Sequence, residues 1–326
     1  MSQRVLLLTL LGGSLLLTVF IQTGWAENQG AFIFFLENDV FALTDRYYTH
    51  GMKLSWVSPD RLFSLFDSGA QRAFSLSFGQ NIYTPADIER KDLIEDDRPY
   101  AGVSYFSFAF HRKKGQSMDT LEFVLGIVGP HSCAEQMQRF VHSLFKFTDP
   151  KGWDHQLKDE IVFAVVFDRK WKFLHLSEKK KIGYDMLAHL GGSLGNLMTA
   201  AVTGFQFRIG WNIPGDFGTF LIRPGGESST FFNDRPAHSE ENKRFGIHSY
   251  IYVAGHAVYR NIFLDGNTFR ESHQVDKYPF VADFVTGVVL MYKRFKLSYA
   301  YVYRTKQFKK QSEPQIFGAL NFSFVY

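Results

Sequence analysis

From Glu27 to Tyr326 the chain has no run of about 18 to 20 apolar residues, the length a membrane-spanning helix needs, yet stretch after stretch alternates apolar and polar side chains. Such a chain can enter a membrane only as a closed barrel, because lipid satisfies no backbone hydrogen bond and an open sheet would leave a bare edge. The composition agrees with the alternation. There are 35 Phe and 15 Tyr, but mean hydropathy is −0.13, so the apolar residues are interleaved with polar ones, as in strands with one lipid face and one interior face.

Twelve segments carry the period-2 pattern and are bounded by Gly, Pro, Asn and Asp clusters. The first six are Ala31 to Asn38, Tyr48 to Val57, Arg72 to Ile82, Tyr100 to His111, Asp119 to Val128 and Leu157 to Lys172. The second six are Lys181 to Gly192, Ala200 to Trp211, Gly246 to Tyr259, Phe280 to Met291, Arg294 to Thr305 and Gln315 to Tyr326. The last is the clearest, with Leu320, Phe322, Phe324 and Tyr326 on one face and Asn321 and Ser323 on the other. An even count suits a bacterial single-chain barrel. The expected fold is therefore all-β, a twelve-stranded antiparallel transmembrane β-barrel. A soluble β-sandwich would share the alternation, but strands of about ten residues and an export-type N-terminus count against it.

That N-terminus has Arg4, an apolar run from Val5 to Ile21, and small residues at Gly24 and Ala26. The pattern is that of a signal peptide over residues 1–26, cleaved after Ala26, with residues 27–326 forming the barrel. The rival is an N-terminal membrane anchor; the small residues and the polar Glu27-Asn28-Gln29 favour cleavage. No Cys follows the expected cleavage site, which argues against a lipoprotein. Cys133 is the only cysteine, which forbids an intrachain disulfide and a Cys-based zinc site. A net charge of +4 permits attraction to phosphorylated lipid, whereas nucleic-acid binding would need a dense basic patch that the chain lacks.

With the N-terminus in the periplasm, the external connections are residues 39–47, 83–99, 129–156, 193–199, 260–279 and 306–314. The segment Asn212 to Arg244 resists this scheme. It is long and rich in Gly and Pro on the side where turns are short, so it holds either an extra hairpin or a slip in the strand count. One external connection breaks the β pattern. Ser132 to Lys146 reads as a short helix, opened by a Ser132/Glu135 capping box, with Gln138 and His142 four apart on one face.

Three polar clusters could carry chemistry. Glu37-Asn38-Asp39, with Thr44 to Gly51 at the return into the second strand, offers the oxygen ligands a hard cation such as calcium takes; a polar turn has the same composition. Ile82-Tyr83-Thr84-Pro85, with Arg90, Lys91 and Asp96 to Gly102, could hold a phosphate through its basic side chains or form a solvated loop. His142, with Gln138, Gly152 to Gln156 and Glu160, could take a proton near neutral pH, although a lone helical His is more often a surface or packing residue.

The strings ENDVF, TDRYYTHG, QNIYTP, DDRPYAG, AEQMQRFVH and GW-DHQ, in this order, resemble the lipid A 3'-O-deacylase (LpxR-type) family of Gram-negative outer membranes. The resemblance runs from the first strand to about Glu160, and beyond it the chain is similar to barrels in general. It implies a calcium-dependent carboxylic ester hydrolase that removes the 3'-linked acyloxyacyl chain of lipid A at the outer leaflet, by a route similar to secreted phospholipase A2. It further implies a monomer in the outer membrane, with lipopolysaccharide as its partner. Carried over residue by residue, it assigns catalytic roles to Asn38, Asp39, Thr49 and His142, calcium to Asp39 and Asn38, and the family's active-site Lys, as a substrate-binding cation, to Arg90 or Lys91; Glu37, in the same acidic string, is read with them as a metal ligand, and Gln138, on the His142 face of the helix, as a substrate-binding residue. Val40 stands where some members carry a second Asp.

Two other functions remain open. Outer-membrane phospholipase A, also a twelve-stranded calcium-dependent barrel, uses a Ser activated by His, and His175-Leu176-Ser177 has the His-x-Ser spacing, although it falls at an expected periplasmic turn. A passive pore or surface-binding barrel would carry no chemistry at all.

Overall fold

The computed structural model describes residues 30–42, 47–58, 70–176, 182–219, 221–222 and 245–326. The expected signal peptide, residues 43–46 and Ser177 lie outside them. Twelve strands follow in order: β1 (Ala31–Asn38), β2 (Tyr47–Val57), β3 (Gln71–Thr84), β4 (Ala101–Lys114), β5 (Ser117–Val128), β6 (Glu160–Leu176), β7 (Ile182–Leu194), β8 (Met198–Trp211), β9 (Phe245–Asn261), β10 (Phe280–Tyr292), β11 (Phe295–Arg304) and β12 (Gln315–Val325). Each pairs antiparallel with its neighbours, and β1 closes on β12 from Ala31–Val325 to Asn38–Gly318. Every expected strand is present, with ends moved by a few residues. Closure leaves no sheet edge, which is why the alternation can put a half-apolar chain in lipid.

Which face each residue takes follows from the pleat. In β1, Phe32, Phe34 and Leu36 point outward, while Ala31, Ile33, Phe35 and Glu37 are buried inside. In β12, Phe322 points outward and Asn321 and Ser323 inward. Two short links, after Lys114 and after Tyr292, turn through the left-handed residues Gly115 and Lys293. They lie at the end where β1 begins and β12 finishes, and the connection that carries the helix before β6 lies at the other, as in outer-membrane barrels with periplasmic turns and external loops.

The interior is filled with paired charge. Arg208 is almost wholly buried and donates to Asp185 Oδ1 at 2.7 Å and to Asp216, which also accepts from Lys296 at 2.7 Å. His189 bridges Asp168 and Tyr252, each at 2.8 Å, and Arg304 pairs with Asp283 at 2.7 Å. Buried ions persist only when paired in this way. The segment after β8 explains its odd composition. Ile213, Asp216, Phe217, Leu221 and Ile222 are buried; Gly215 accepts from Lys172, and the Ile222 N–H donates to Glu37. Its described part therefore turns into the barrel as a plug, and those residues add no hairpin.

Asp216→Ala should lower stability by about 3 to 5 kcal/mol, because it strips one partner from a buried Arg–Asp–Lys network. Urea unfolding in vesicles would measure it. A change near zero would mean that water, not Asp216, compensates Arg208 and Lys296.

The external helix, α1 (Ala134–Phe145), is present but begins differently from the expectation. Cys133 occupies the N-cap position in left-handed geometry without a side-chain cap bond. The Ser132 hydroxyl donates instead to the Gly129 carbonyl at 2.6 Å. The Ser132/Glu135 capping box is thus absent: Ser132 closes a tight 3-10 turn that Gly129 opens at φ 103°, and Glu135 is engaged by Arg139 at 3.0 Å.

Candidate active site

The site arises where the outward row of the wall changes character. Along β3, Phe74, Leu76 and Phe78 face outward, and the same row continues as Gln80, Ile82 and Thr84. Along β1 the row Phe32, Phe34, Leu36 ends in Asn38, and along β4 Phe106 is preceded by Ser104 and Gly102. Gln80, Ile82 and Thr84 are buried although they point out of the barrel, because the start of α1 lies over Gln80 and Ile82 and Thr84 is engaged by the Thr49 hydroxyl.

Three contacts hold α1 there. The Ser132 carbonyl accepts from Gln80 Nε2 at 2.8 Å and from Ser104 Oγ at 2.7 Å. Gly102 lets the helix approach closely, since a Cβ at that position would lie 2.0 Å from the Ala134 Cβ. Trp153, buried against Tyr100 with ring centres 5.0 Å apart, donates its indole N–H to Gln138 Oε1 at 2.8 Å.

Between helix and wall lies a small cavity of about 20 Å³, lined by Asn38, Asp39, Thr49, His50, Gln138 and His142 together with Val40, Ile82, Met137, Val141 and Phe147. Thr49 reaches it through an irregularity in the β2–β3 pairing, where Tyr48 faces Tyr83 but His50 faces Ile82, leaving Thr49 unmatched. The shift sends Tyr48 inward, 5.2 Å from the Tyr83 ring, while Thr49 bonds the Thr84 hydroxyl at 2.8 Å.

His142 is buried, and its Nδ1 bonds the Thr148 carbonyl. A carbonyl can only accept, so Nδ1 carries a proton, and in the neutral ring it is Nε2 that has the lone pair. The loop that presents Thr148 is fastened by Arg139, whose guanidinium holds Asp149 at 2.9 Å. Gln138 is fixed in the same manner. Trp153 occupies its amide oxygen, so its buried Nε2, which has no partner among the described residues, is the end left to donate.

Asn38, Asp39, Thr49, Gln138 and His142 thus converge, although α1 is far in sequence from the β1–β2 hairpin. Glu37 does not join them. One residue out of phase, it points into the barrel and accepts the Ile222 N–H at 2.6 Å, which removes it from the expected metal set. Arg90 lines a neighbouring recess with Pro85, Tyr100, Gly152 and His155, and neither Arg90 nor Lys91 lines the His142 cavity. His175 pairs with Asp185 at 3.1 Å at the far end of β6.

Sequence reading missed the Thr148 carbonyl; Thr84 and Arg98 it placed only in the second polar cluster, as part of a possible phosphate site, and Arg98 lines the recess beside Arg90 and not the His142 cavity. Arg98 is buried with its guanidinium 4.4 Å from the Tyr83 ring centre. Burial pushes it down to about 10, so it stays cationic at neutral pH. The Thr84 signal was available, as a polar residue on the outward row of a lipid-facing strand.

The oxygens at the cavity are the Asp39 carboxylate, the Thr49 hydroxyl and the Asn38 amide oxygen, which accepts from the Val40 N–H at 2.8 Å and has a second lone pair. Among the described residues no group of three or more His, Cys, Asp and Glu is placed to hold a metal. An all-oxygen set with one carboxylate fits a hard cation that retains water, such as calcium, and does not fit zinc.

Comparison with known proteins agrees with this architecture. Among solved structures the chain is similar to LpxR from Salmonella typhimurium, with TM-score 0.74, 15% identity, and coverage of 90% of this chain and 99% of that one. The β domain of the Bordetella autotransporter Brka aligns with TM-score 0.47 and 10% identity over 93% of this chain and 100% of its own. No curated protein matches the sequence. The family profile described as outer membrane protein LpxR matches residues 7–326. On that near-complete match and the closed twelve-stranded barrel, the chain belongs to the LpxR family of outer membrane proteins.

Proposed function

We propose that this protein is a lipid A 3'-O-deacylase, a carboxylic ester hydrolase acting in the outer leaflet. The observation that carries the reading is His142, held as the Nδ1–H tautomer by the Thr148 carbonyl, with Nε2 free for chemistry in a cavity on the outer wall of the barrel. Family membership and the likeness to Salmonella LpxR support it.

His142 Nε2 takes a proton from water, and the hydroxide formed attacks the carbonyl carbon of the ester. The resulting oxyanion is met by the N–H of Gln138, an aimed and desolvated donor that needs no reorganisation as charge develops. Collapse expels the sugar oxygen, which recovers the proton from His142, so the products are a 3'-hydroxyl and a free acyloxyacyl acid. Asp39, with Asn38 and Thr49, would hold calcium, which when bound supplies positive charge against that oxyanion. Arg90 and Lys91 lie outside the cavity, on the loop beside it, where they can meet a lipid A phosphate.

The test is mass spectrometry of lipid A from cells expressing the protein, with and without calcium. Loss of the 3'-acyloxyacyl mass is expected, and unchanged lipid A around a well-inserted barrel would overturn the assignment. Gln138→Ala should lower the rate by about a hundred- to a thousand-fold, the usual loss on removing one oxyanion donor. Gln138→Glu, of the same shape but acceptor-only when ionised, should fall as far; full activity in that variant would remove Gln138 from the oxyanion site.

A further inference from the structure

The outer surface of α1 is a second feature that the hydrolytic site does not use. Phe140, Leu144, Phe145 and Phe147 are 51%, 62%, 61% and 40% exposed, an apolar cluster that a water-facing helix would not carry. The helix has two unlike edges. Met137, Val141, Leu144 and Phe145 follow one, while Glu135, Gln136, Arg139 and Ser143 follow the other, and Arg139 is neutralised there by Glu135 and Asp149. That division marks a helix lying in a membrane interface, polar side toward headgroups and apolar side toward chains.

The barrel supplies the continuity. Directly below the helix the wall is lipid-facing at Phe78, Phe106 and Leu125. At the level of Gln80 and Ser104 the wall turns polar and is roofed by α1. The apolar surface therefore does not stop at Phe78 and Phe106 but steps outward onto the helix. Met137, Val141 and Phe147 belong both to this face and to the lining of the His142 cavity, so the cavity borders the apolar edge and not the polar one.

We infer that the apolar face of α1 docks into the acyl chains of the outer leaflet, and that the cavity opens laterally into those chains, so an ester arrives along the bilayer without passing through water. This deepens the deacylase reading by giving its substrate a route. Its test reads position in the bilayer and needs no hydrolysis, so failure of one is distinguishable from failure of the other.

Cys133 is the only cysteine and is exposed, so a Cys133→Ser chain allows single nitroxide labels at Phe140→Cys, Leu144→Cys, Phe145→Cys and, on the polar edge, Gln136→Cys. The full barrel is reconstituted in phosphatidylcholine vesicles, and collision of each label with lipid-dissolved oxygen is compared with collision with a water-soluble nickel complex. Labels at 140, 144 and 145 should favour oxygen, and the label at 136 should favour nickel. Nickel-dominated collision at 144 and 145, equal to that at 136, would place the face in water and overturn the inference.

Discussion

In the His142→Ala variant, hydrolysis of lipid A should fall by about a hundred- to ten-thousand-fold, the span attributed to a positioned general base. The argument rests on tautomer and place. His142 donates through Nδ1 to a main-chain carbonyl, and its ring stands edge-on to Phe147 with centres 5.7 Å apart. Among the described residues no carboxylate is paired with it, so the carbonyl fixes orientation without adding charge. These partners belong to the external loop and not to the wall, so the barrel should remain inserted and should migrate in unheated detergent gels as the wild-type barrel does and differently from the boiled chain. Loss of activity with a folded barrel assigns the base. Retained activity would sink the mechanism, and a barrel that fails to insert would show His142 to be a packing residue. His142→Gln separates these last cases, since it fills the volume and can still bond Thr148 while taking up no proton.

Strands were legible because a closed barrel imposes one rule along its wall. The run Phe32, Phe34, Leu36 must face lipid and Ile33, Phe35 must not, so a period of two is written over every span. The helix was legible from the break in that rule, but its start was not. A capping box is a local pattern, and at Ser132 a tertiary demand prevailed: the hydroxyl closes the Gly129 turn while the carbonyl binds Gln80 and Ser104 on the wall. The plug was invisible because the sequence from 212 to 222 has no period; Gly215 and Asp216 are held inside by Lys172, Arg208 and Lys296, which lie on three different strands.

Among the site residues, parity decides what proximity in sequence does not. Glu37 and Asn38 are neighbours, yet one faces the interior and the other the outer wall. Their adjacency in a string suggested one metal shell; the pleat divides them. The same parity marks Gln80 and Thr84 as members of the outward row of β3, and polar side chains on a lipid-facing row must be roofed or sit above the membrane. Arg90 and Lys91 gave no such signal. They lie in a loop without periodicity, where composition indicates only solvent or an anion.

Roofing is also the basis of the second large effect, at a residue with no functional group. A Cβ on Gly102 would meet Ala134 Cβ at 2.0 Å and Ser132 Oγ at 2.6 Å, both at the base of α1. Ser132 can rotate, but Ala134 cannot yield without moving the helix. Gly102→Ala should therefore lift the first turn of α1 from the wall, carrying Gln138 and His142 away from Asn38, Asp39 and Thr49. Misplacement by about 1 Å is enough to cost on the order of a hundred-fold in rate. The strand pairing of Gly102 with Ile82 uses only main chain, so the barrel should insert normally. Adding Ala134→Gly removes the nearer clash, and the double variant should recover most of the lost rate. Recovery would show that the catalytic geometry is set by how closely a helix lies against the outer wall. An unimpaired Gly102→Ala enzyme would show that α1 tolerates displacement, and the site would then have to be completed by the substrate.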